Sequence, residues 1–235
     1  AQPIEVSTVD ILFKCINMYN VMLDNITLKG ANAAAVMIKG SKGIDVRNCE
    51  LVFSGVNAID VLNSSYLKIE GNLFDETNDA AIYLNGKCSS SILKNNVIKR
   101  TGIIPGMGSY DYCAITVNGE NNIIEGNIID STGYNAIRFM GDSIVVRRNF
   151  ITNFCMIKDD GAGIYTWTGK DNISGKGNKI VENIITNGKG APEGTNSVNG
   201  YACGIYMDDN TGNVEIVKNT VLNCSQAGVY LHNAH

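Results

Sequence analysis

Short hydrophobic runs separated by polar residues recur along this chain of 235 residues. At eight places an asparagine separates a strand-like hydrophobic run from a second, shorter one. These asparagines are Asn25, Asn48, Asn72, Asn96, Asn127, Asn149, Asn183 and Asn219. The steps between them are 22 to 24 residues long, with three longer steps of 31, 34 and 36 residues. A period of this size, broken by insertions, predicts a solenoid of about eight coils.

The repeat resembles the right-handed parallel β-helix family, which includes polygalacturonases and pectate lyases. The resemblance extends from about residue 11 to the end of the chain. It implies an all-β solenoid with three short strands per coil and an internal ladder of stacked asparagines. Asparagine suits this place because it tolerates a sharp left-handed bend, and because its amide can pair with the amides of neighbouring coils. We therefore expect one parallel β-helix domain over residues 1–235.

A second strand recurs in every coil and has small residues before an aliphatic one. Successive strand residues point to opposite faces, so aligning these strands predicts which side chains point outward. The first outward column contains Met37, Asp60, Tyr83, Thr116, Arg138, Tyr165, Tyr206 and Tyr230. The second contains Lys39, Leu62, Asn85, Asn118, Met140, Trp167, Asp208 and His232. The last three coils thus bring rare aromatic residues, a carboxylate and a histidine to one patch.

Small residues precede the aligned aliphatic position throughout. They are Ala81, Ala114, Ala136, Gly163, Gly204 and Gly228. Alternation predicts that they point outward and form the floor of a groove beside the aromatic columns. The alternative is that they ease a tight bend of the chain.

Loop insertions are confined to the later coils. Two of them precede a strand, at residues 103–112 and 154–163. A third follows the strand of coil six, which carries Tyr165 and Trp167, and a fourth contains Glu193. Insertions in solenoids often lie on the binding face, so we expect the site in the second half of the chain.

Paired carboxylates are the candidate catalytic groups. Asp208 points outward on the patch, and Asp160 precedes the neighbouring strand. Two such groups can act as general acid and base on a glycosidic bond. The layout resembles that of polygalacturonases, although their motifs are absent. Asp209 is a further substrate contact or a turn residue. His232 is a general base, a sugar contact or a surface histidine.

Aromatic rings would supply the sugar platform. Tyr165, Trp167, Tyr206 and Tyr230 suit stacking on sugar rings, with Arg138 and Glu193 as further contacts; the alternative is an aromatic stack that only stabilises neighbouring coils. We expect a glycoside hydrolase acting on a polysaccharide or oligosaccharide in a groove over the later coils, six to eight. A polysaccharide lyase using Lys158 and Arg138, or a glycan-binding adhesin, are the alternatives.

Composition narrows the partners. The net charge is −4 and no basic run occurs, so nucleic acid is not expected. No apolar run approaches the roughly 18 residues of a membrane span. Seven widely spaced cysteines fit small core residues better than disulfides or zinc ligands. No cofactor is expected, although the aspartates could hold calcium. We expect a secreted or cell-surface protein and, because strand-like segments reach both ends, a piece of a longer chain.

Overall fold

The computed structural model describes residues 6–109, 111–169, 175–193 and 198–235. Within these residues the chain forms 25 strands and no helix. Each strand pairs in parallel with the strand three places further along the chain, so the strands form three parallel sheets. The chain therefore winds as a right-handed parallel β-helix, as the sequence predicted.

Sheet A carries the outward columns. Its nine strands, in spatial order, are β1 (Ile11–Ile16), β4 (Ala34–Lys39), β7 (Ile59–Leu62), β10 (Ile82–Ser89), β13 (Ile115–Glu120), β16 (Ile137–Met140), β19 (Gly161–Thr166), β22 (Ala202–Met207) and β25 (Ala227–Leu231).

Sheets B and C have eight strands each. Sheet B contains β2 (Met22–Asp24), β5 (Asp45–Arg47), β8 (Lys68–Glu70), β11 (Ile92–Lys94), β14 (Ile123–Glu125), β17 (Val145–Arg147), β20 (Asn178–Val181) and β23 (Val214–Val217). Sheet C contains β3 (Thr27–Ala31), β6 (Glu50–Ser54), β9 (Leu73–Thr77), β12 (Val97–Thr101), β15 (Ile128–Thr132), β18 (Phe150–Phe154), β21 (Ile184–Gly188) and β24 (Thr220–Cys224).

The three sheets enclose one continuous apolar core. The aligned aliphatic residues of sheet A are buried as predicted, except in the last coil, where Val229 is 48% and Leu231 is 62% exposed. Six of the seven cysteines are buried and all are free thiols, which agrees with their expected role as small core residues.

The register of sheet A confirms the first outward column. Tyr83 pairs with Asp60 on one side and Thr116 on the other. Tyr206 pairs with Tyr165 and Tyr230. The patch deduced from alternation is therefore present in the fold.

An asparagine ladder runs through the core along six consecutive coils. It consists of Asn72, Asn96, Asn127, Asn149, Asn183 and Asn219. Each Nδ2 donates to the next Oδ1 at 2.9 or 3.0 Å. The same Oδ1 also accepts the backbone N–H of the preceding asparagine. The ladder satisfies polar groups that burial would otherwise leave without partners.

The ladder does not extend to Asn25 and Asn48, which the sequence placed in it. Both have left-handed backbone, with φ of 56° and 52°, and Asn48 donates to Asp24 on the exposed surface. Cys49 fills the ladder position of that coil, because its N–H donates to Asn72. In the later coils the left-handed residue also comes immediately before the ladder asparagine, as Gly71 does before Asn72. The bend and the ladder therefore use adjacent residues.

The small residues before the aligned aliphatics point into the core, so the predicted groove floor is wrong. A Cβ atom at Gly163 would lie 2.5 Å from Ile185 Cγ2, and one at Gly204 would lie 2.3 Å from Val221 Cγ1. Strand pairing skips both glycines. The strand bends there and alternation fails. The position is small because sheet A meets sheet C at this corner.

Charges alternate in sign along the outer face of sheet B. One column of paired residues reads Asp24, Arg47, Glu70, Lys94, Glu125 and Arg147. Arg47 Nη2 lies 3.1 Å from Asp24 Oδ2, and Arg147 Nη2 lies 2.9 Å from Glu125 Oε2. Each charge therefore has neighbours of opposite sign one coil away.

Candidate functional site

A cleft of about 630 Å³ lies on the outer face of sheet A, over coils four to six, whose sheet A strands are β13, β16 and β19. It is lined by Asp111, Tyr134, Arg138, Met140, Lys158, Asp159, Asp160, Tyr165 and Trp167. The two strands β16 and β19 form its base, and the insertions before β13 and β19 form its walls. Of the residues that the sequence proposed for the site, Arg138, Asp160, Tyr165 and Trp167 line this cleft.

A buried ion pair fixes one wall of the cleft. Asp111 is 5% exposed. Its Oδ1 lies 2.7 Å from Arg138 Nη1, and its Oδ2 accepts a hydrogen bond from the Thr116 hydroxyl. Burial raises the pKa of Asp111, and Arg138 opposes that rise. The insertion before β13 thus covers Thr116 and holds the guanidinium in place over the sheet.

Asp160 lies at the end of the loop that leads into β19. Its backbone has a φ of 57°, and its carbonyl oxygen accepts a 2.7 Å hydrogen bond from the Tyr134 hydroxyl. Partial burial raises the pKa of its carboxyl, and the negative charge of Asp208 raises it further. Asp160 therefore gives up its proton less readily than an ordinary aspartate.

Asp208 follows β22, and donors hold its carboxylate on both sides. The Tyr165 hydroxyl donates to Oδ2 at 2.7 Å, and the Asp209 N–H donates to Oδ1 at 2.9 Å. His232 Nδ1 lies 2.9 Å from Oδ1. Burial acts to raise the pKa of Asp208, but these hydrogen bonds outweigh it and lower the pKa. Asp208 is therefore ionised at neutral pH.

The aromatic residues of the patch form a continuous row beside the cleft. The rings of Tyr165 and Tyr206 meet edge to face at 5.3 Å, and those of Tyr206 and Tyr230 lie 5.0 Å apart. Tyr230 stacks on the imidazole of His232 at 5.9 Å. Of this row, only Tyr165 lines the cleft. The neighbouring residues lie beside the cleft, next to Tyr165: Tyr206, Tyr230, Asp208 and His232.

His232 is the one residue in this cluster that titrates near neutral pH. Its hydrogen bond to Asp208 raises the pKa of the imidazole, and the charge of Asp209 adds to this effect. Asp208, Asp209 and His232 each offer one ligand atom, and the three atoms lie within 4.8 Å of one another. A mixed nitrogen and oxygen set of this kind suits a transition metal better than the calcium considered from the sequence.

Three further acidic residues near the patch have different surroundings. Asp159 accepts hydrogen bonds from the backbone N–H groups of Tyr201 and Ala191, so it anchors the insertion of coil seven. Asp209 accepts a 2.7 Å hydrogen bond from Asn233. Glu193 lies exposed in that insertion and is not among the residues that line the cleft.

Sequence reasoning missed two wall residues, Asp111 and Tyr134. Neither lies on a strand of sheet A, so alternation gave no information about them. The insertion that contains Asp111 was recognised as a wall. An aspartate where such an insertion rejoins the sheet is the signal that could have identified it. Lys158 entered only as a candidate lyase residue; its Nζ lies 4.8 Å from the Tyr112 ring centre and 5.3 Å from that of Tyr134.

The sequence matches the family described as the right-handed beta helix region over residues 13–180. This match covers more than half of the chain, so the chain belongs to that family. No curated protein sequence matches it. The described part of the chain contains no apolar helix of membrane-spanning length.

Solved structures with the same fold include several enzymes that act on carbohydrates. A glycoside hydrolase is similar with a TM-score of 0.67 and 17% identity, over 86% of this chain and 38% of that chain. DFA-IIIase from Arthrobacter chlorophenolicus A6 in complex with GF2 is similar with a TM-score of 0.61 and 10% identity, over 90% and 54%. Alginate lyase from Paenibacillus sp. str. FPU-7 gives 0.54 and 11%, over 89% and 78%.

These identities are low, so the likeness shows the fold alone. The chain spans 38% of the glycoside hydrolase and 54% of the DFA-IIIase structure.

Proposed function

We propose that this protein is a carbohydrate-active enzyme, a glycoside hydrolase that cleaves a polysaccharide on the outer face of sheet A, where Asp208 adjoins the cleft that Asp160 lines. The observation that carries the proposal is the pairing of Asp160 and Asp208. Their pKa values are shifted in opposite directions, upward for Asp160 and downward for Asp208. Two neighbouring carboxyl groups with separated pKa values are what acid–base cleavage of a glycosidic bond requires.

The raised pKa makes Asp160 the proton donor to the leaving oxygen of the glycosidic bond. Asp208 stays ionised and acts as the base that activates water, or as the nucleophile. Tyr165 and His232 hold its carboxylate by the hydrogen bonds described above, so they keep it ionised and oriented. The Tyr206 hydroxyl acts to lower the pKa of both carboxyls, which supports their closeness.

Aromatic rings beside these carboxyls support sugar binding. Trp167 is 41% exposed and lines the cleft together with Tyr165, whose ring meets that of Tyr206 edge to face. Such rings pack against the C–H faces of sugar rings, and the polar groups of the walls pair with hydroxyls. The fold shared with carbohydrate-active enzymes agrees with this use. A polymeric substrate would fit a protein secreted or held at the cell surface.

The test is a panel of polysaccharides incubated with wild-type protein, followed by analysis of the reducing ends and anomeric configuration of the products. On the substrate so identified, Asp208→Asn and Asp160→Asn should each lower kcat by about 100-fold or more. Glu215→Gln, on the exposed face of sheet B, is the matched control and should leave kcat unchanged. Full turnover by Asp208→Asn would remove that residue from the mechanism. Binding of a glycan without any turnover would indicate a binding protein.

A polysaccharide lyase is the second candidate, because Arg138 and Lys158 both line the cleft. The Lys158 ammonium there could neutralise a uronate carboxylate and so assist abstraction of the adjacent proton, while Arg138 stays paired with Asp111. A product with the ultraviolet absorbance of an unsaturated uronate, formed without uptake of water, would favour the lyase over the hydrolase.

A further inference from the structure

A second groove, of about 390 Å³, lies at the corner after sheet C in coils one to four. It shares no residue with the cleft described above. Phe53, Glu76 and Arg100 line it, together with Asn78 and the exposed Ile104. The insertion before β13 borders both places, since Ile104 lies on this groove and its other end carries the cleft residue Asp111.

Three bulky residues at this corner have an unusual backbone. The fourth residue of every sheet C strand has a positive φ. In five coils that residue is glycine, serine or asparagine: Gly30, Ser131, Asn153, Asn187 and Asn223. In the three consecutive coils at the groove it is Phe53, Glu76 and Arg100, with φ of 59°, 53° and 46°.

Large side chains are disfavoured in left-handed backbone, although the bend before the ladder also carries them at Arg148, Glu182 and Lys218. Folding alone is better served by asparagine or glycine, which the other coils use. The three exceptions occur where a groove is present and contribute their side chains to its lining. At this corner the three large side chains therefore coincide with the groove that they line.

The chemistry of the lining indicates the class of ligand. Phe53 is 45% exposed, and the ammonium of Lys29 lies over its ring, 5.7 Å from the ring centre, so a sugar would stack on the opposite face. Arg100 Nη2 lies 2.5 Å from Asp75 Oδ2, and its Nε lies 3.2 Å from Glu76 Oε1. The guanidinium is therefore already neutralised by two carboxylates, which disfavours an anionic ligand. The charges of Arg100 and Lys29 together balance those of Asp75 and Glu76. An aromatic face beside amide groups and balanced charges matches an uncharged, hydroxyl-rich ring.

We propose that this Phe53 groove is a second glycan-binding site, which takes a neutral sugar unit stacked on the Phe53 ring. Glu76, Arg100 and Asn78 offer carboxylate, guanidinium and amide groups to its hydroxyls. The site needs only binding, so it does not depend on the chemistry at Asp160 and Asp208.

The test is electrophoresis through gels that contain one soluble neutral polysaccharide each: xylan, galactomannan, mixed-linkage β-glucan, inulin or dextran. An Asp208→Asn background prevents cleavage. At least one gel should retard this protein, and adding Phe53→Asn should weaken that retardation about tenfold. Asparagine tolerates a positive φ, so Phe53→Asn removes the ring without loss of stability. Ser131→Asn, at the same turn position in coil five, is the matched control and should bind like its parent.

Fluorescence of Trp167, the only tryptophan in the chain, separates the two sites. Phe53→Asn should leave any glycan-induced change at Trp167 unaltered. Phe53→Asn could lose the retardation while the wild-type protein turns over no polysaccharide. The first result would support this site, and the second would refute the proposed hydrolase. Retardation unaffected by Phe53→Asn, or no retardation in any gel, would overturn the second site. So would a dimer in light scattering that Phe53→Asn dissociates, since the groove would then bind a second copy.

Discussion

The asparagine ladder can be tested at its centre by Asn127→Leu. Asn127 is fully buried. Its Oδ1 accepts hydrogen bonds from Asn96 N at 3.0 Å and Asn96 Nδ2 at 2.9 Å. Its Nδ2 donates to Leu93 O at 3.0 Å and Asn149 Oδ1 at 2.9 Å. Leucine has a similar branched shape but can make none of these four hydrogen bonds.

The hydrogen-bond partners of Asn127 are not equally affected by this substitution. Asn96 N is left without an acceptor, and Asn96 Nδ2 keeps only its bond to Ile69 O. Asn149 Oδ1 still accepts the N–H of residue 127. Two buried N–H groups that lose their acceptors cost about 1–3 kcal/mol each. Burying the apolar leucine side chain recovers about 1–2 kcal/mol. The expected net decrease in the free energy of unfolding therefore has a central value of about 2–3 kcal/mol and an upper bound of about 5 kcal/mol.

Urea unfolding followed by circular dichroism measures this decrease. The control is Asn48→Gly, at a left-handed position outside the ladder where the next coil carries Gly71. It loses one exposed hydrogen bond, to Asp24, and should change the free energy of unfolding by less than about 1 kcal/mol. Equal unfolding curves for Asn127→Leu and wild type would refute the energetic role of the ladder. Equal destabilisation by both substitutions would refute the distinction between ladder and bend.

Three further results are expected. Tyr165→Phe removes the hydroxyl that donates to Asp208 Oδ2, so the pKa of Asp208 should rise and the acidic limb of the pH–rate profile should move to higher pH; an unmoved limb would assign it to another group. Because the folded-state pKa of Asp208 lies below 3.8, its stabilising contribution is complete above that pH and is lost as the pH falls through the folded value. Acid titrations of unfolding should therefore show a weaker loss of stability below about pH 4 for Asp208→Asn than for wild type, and identical curves would contradict the lowered pKa. Gly163→Ala would place a Cβ atom 2.5 Å from Ile185 Cγ2 and should lower the free energy of unfolding by about 1–3 kcal/mol. Gly228→Ala is the control, because its Cβ atom would lie 3.9 Å from the nearest atom and should change thermal stability little. Equal melting temperatures of the two variants would contradict the inward position of Gly163.

The outward columns of sheet A could be predicted because strand alternation is a local rule. Tyr165, Tyr206 and Tyr230 pair in the register that the alignment required. The rule fails where the strand bends, and Gly163 was for that reason assigned to the wrong face. The corner is set by the distance between two sheets, which no single strand encodes.

The eight-fold asparagine spacing predicted the coils but not which asparagines stack inside. Asn48 occupies the left-handed bend of its turn. Asn72 occupies the next position of the equivalent turn, where the side chain is buried in the ladder. The cleft was harder to predict than the columns. Asp111 reaches Arg138 across an insertion whose path depends on tertiary packing. The closeness of Asp208 and Asp160 was expected from coil spacing, whereas their opposite pKa shifts depend on tyrosine hydroxyls and burial.

Because the charges on sheet B alternate in sign from coil to coil, removing an odd number of coils differs from removing an even number. Arg47 and Lys94 are both next to Glu70, on opposite sides. Deleting the single coil that carries Glu70 would bring these two cations into contact, one strand spacing of about 4.8 Å apart. Deleting two consecutive coils would restore a pair of opposite sign. Along this face, shortening or lengthening of the protein by repeat exchange should therefore be tolerated better in steps of two coils than in steps of one.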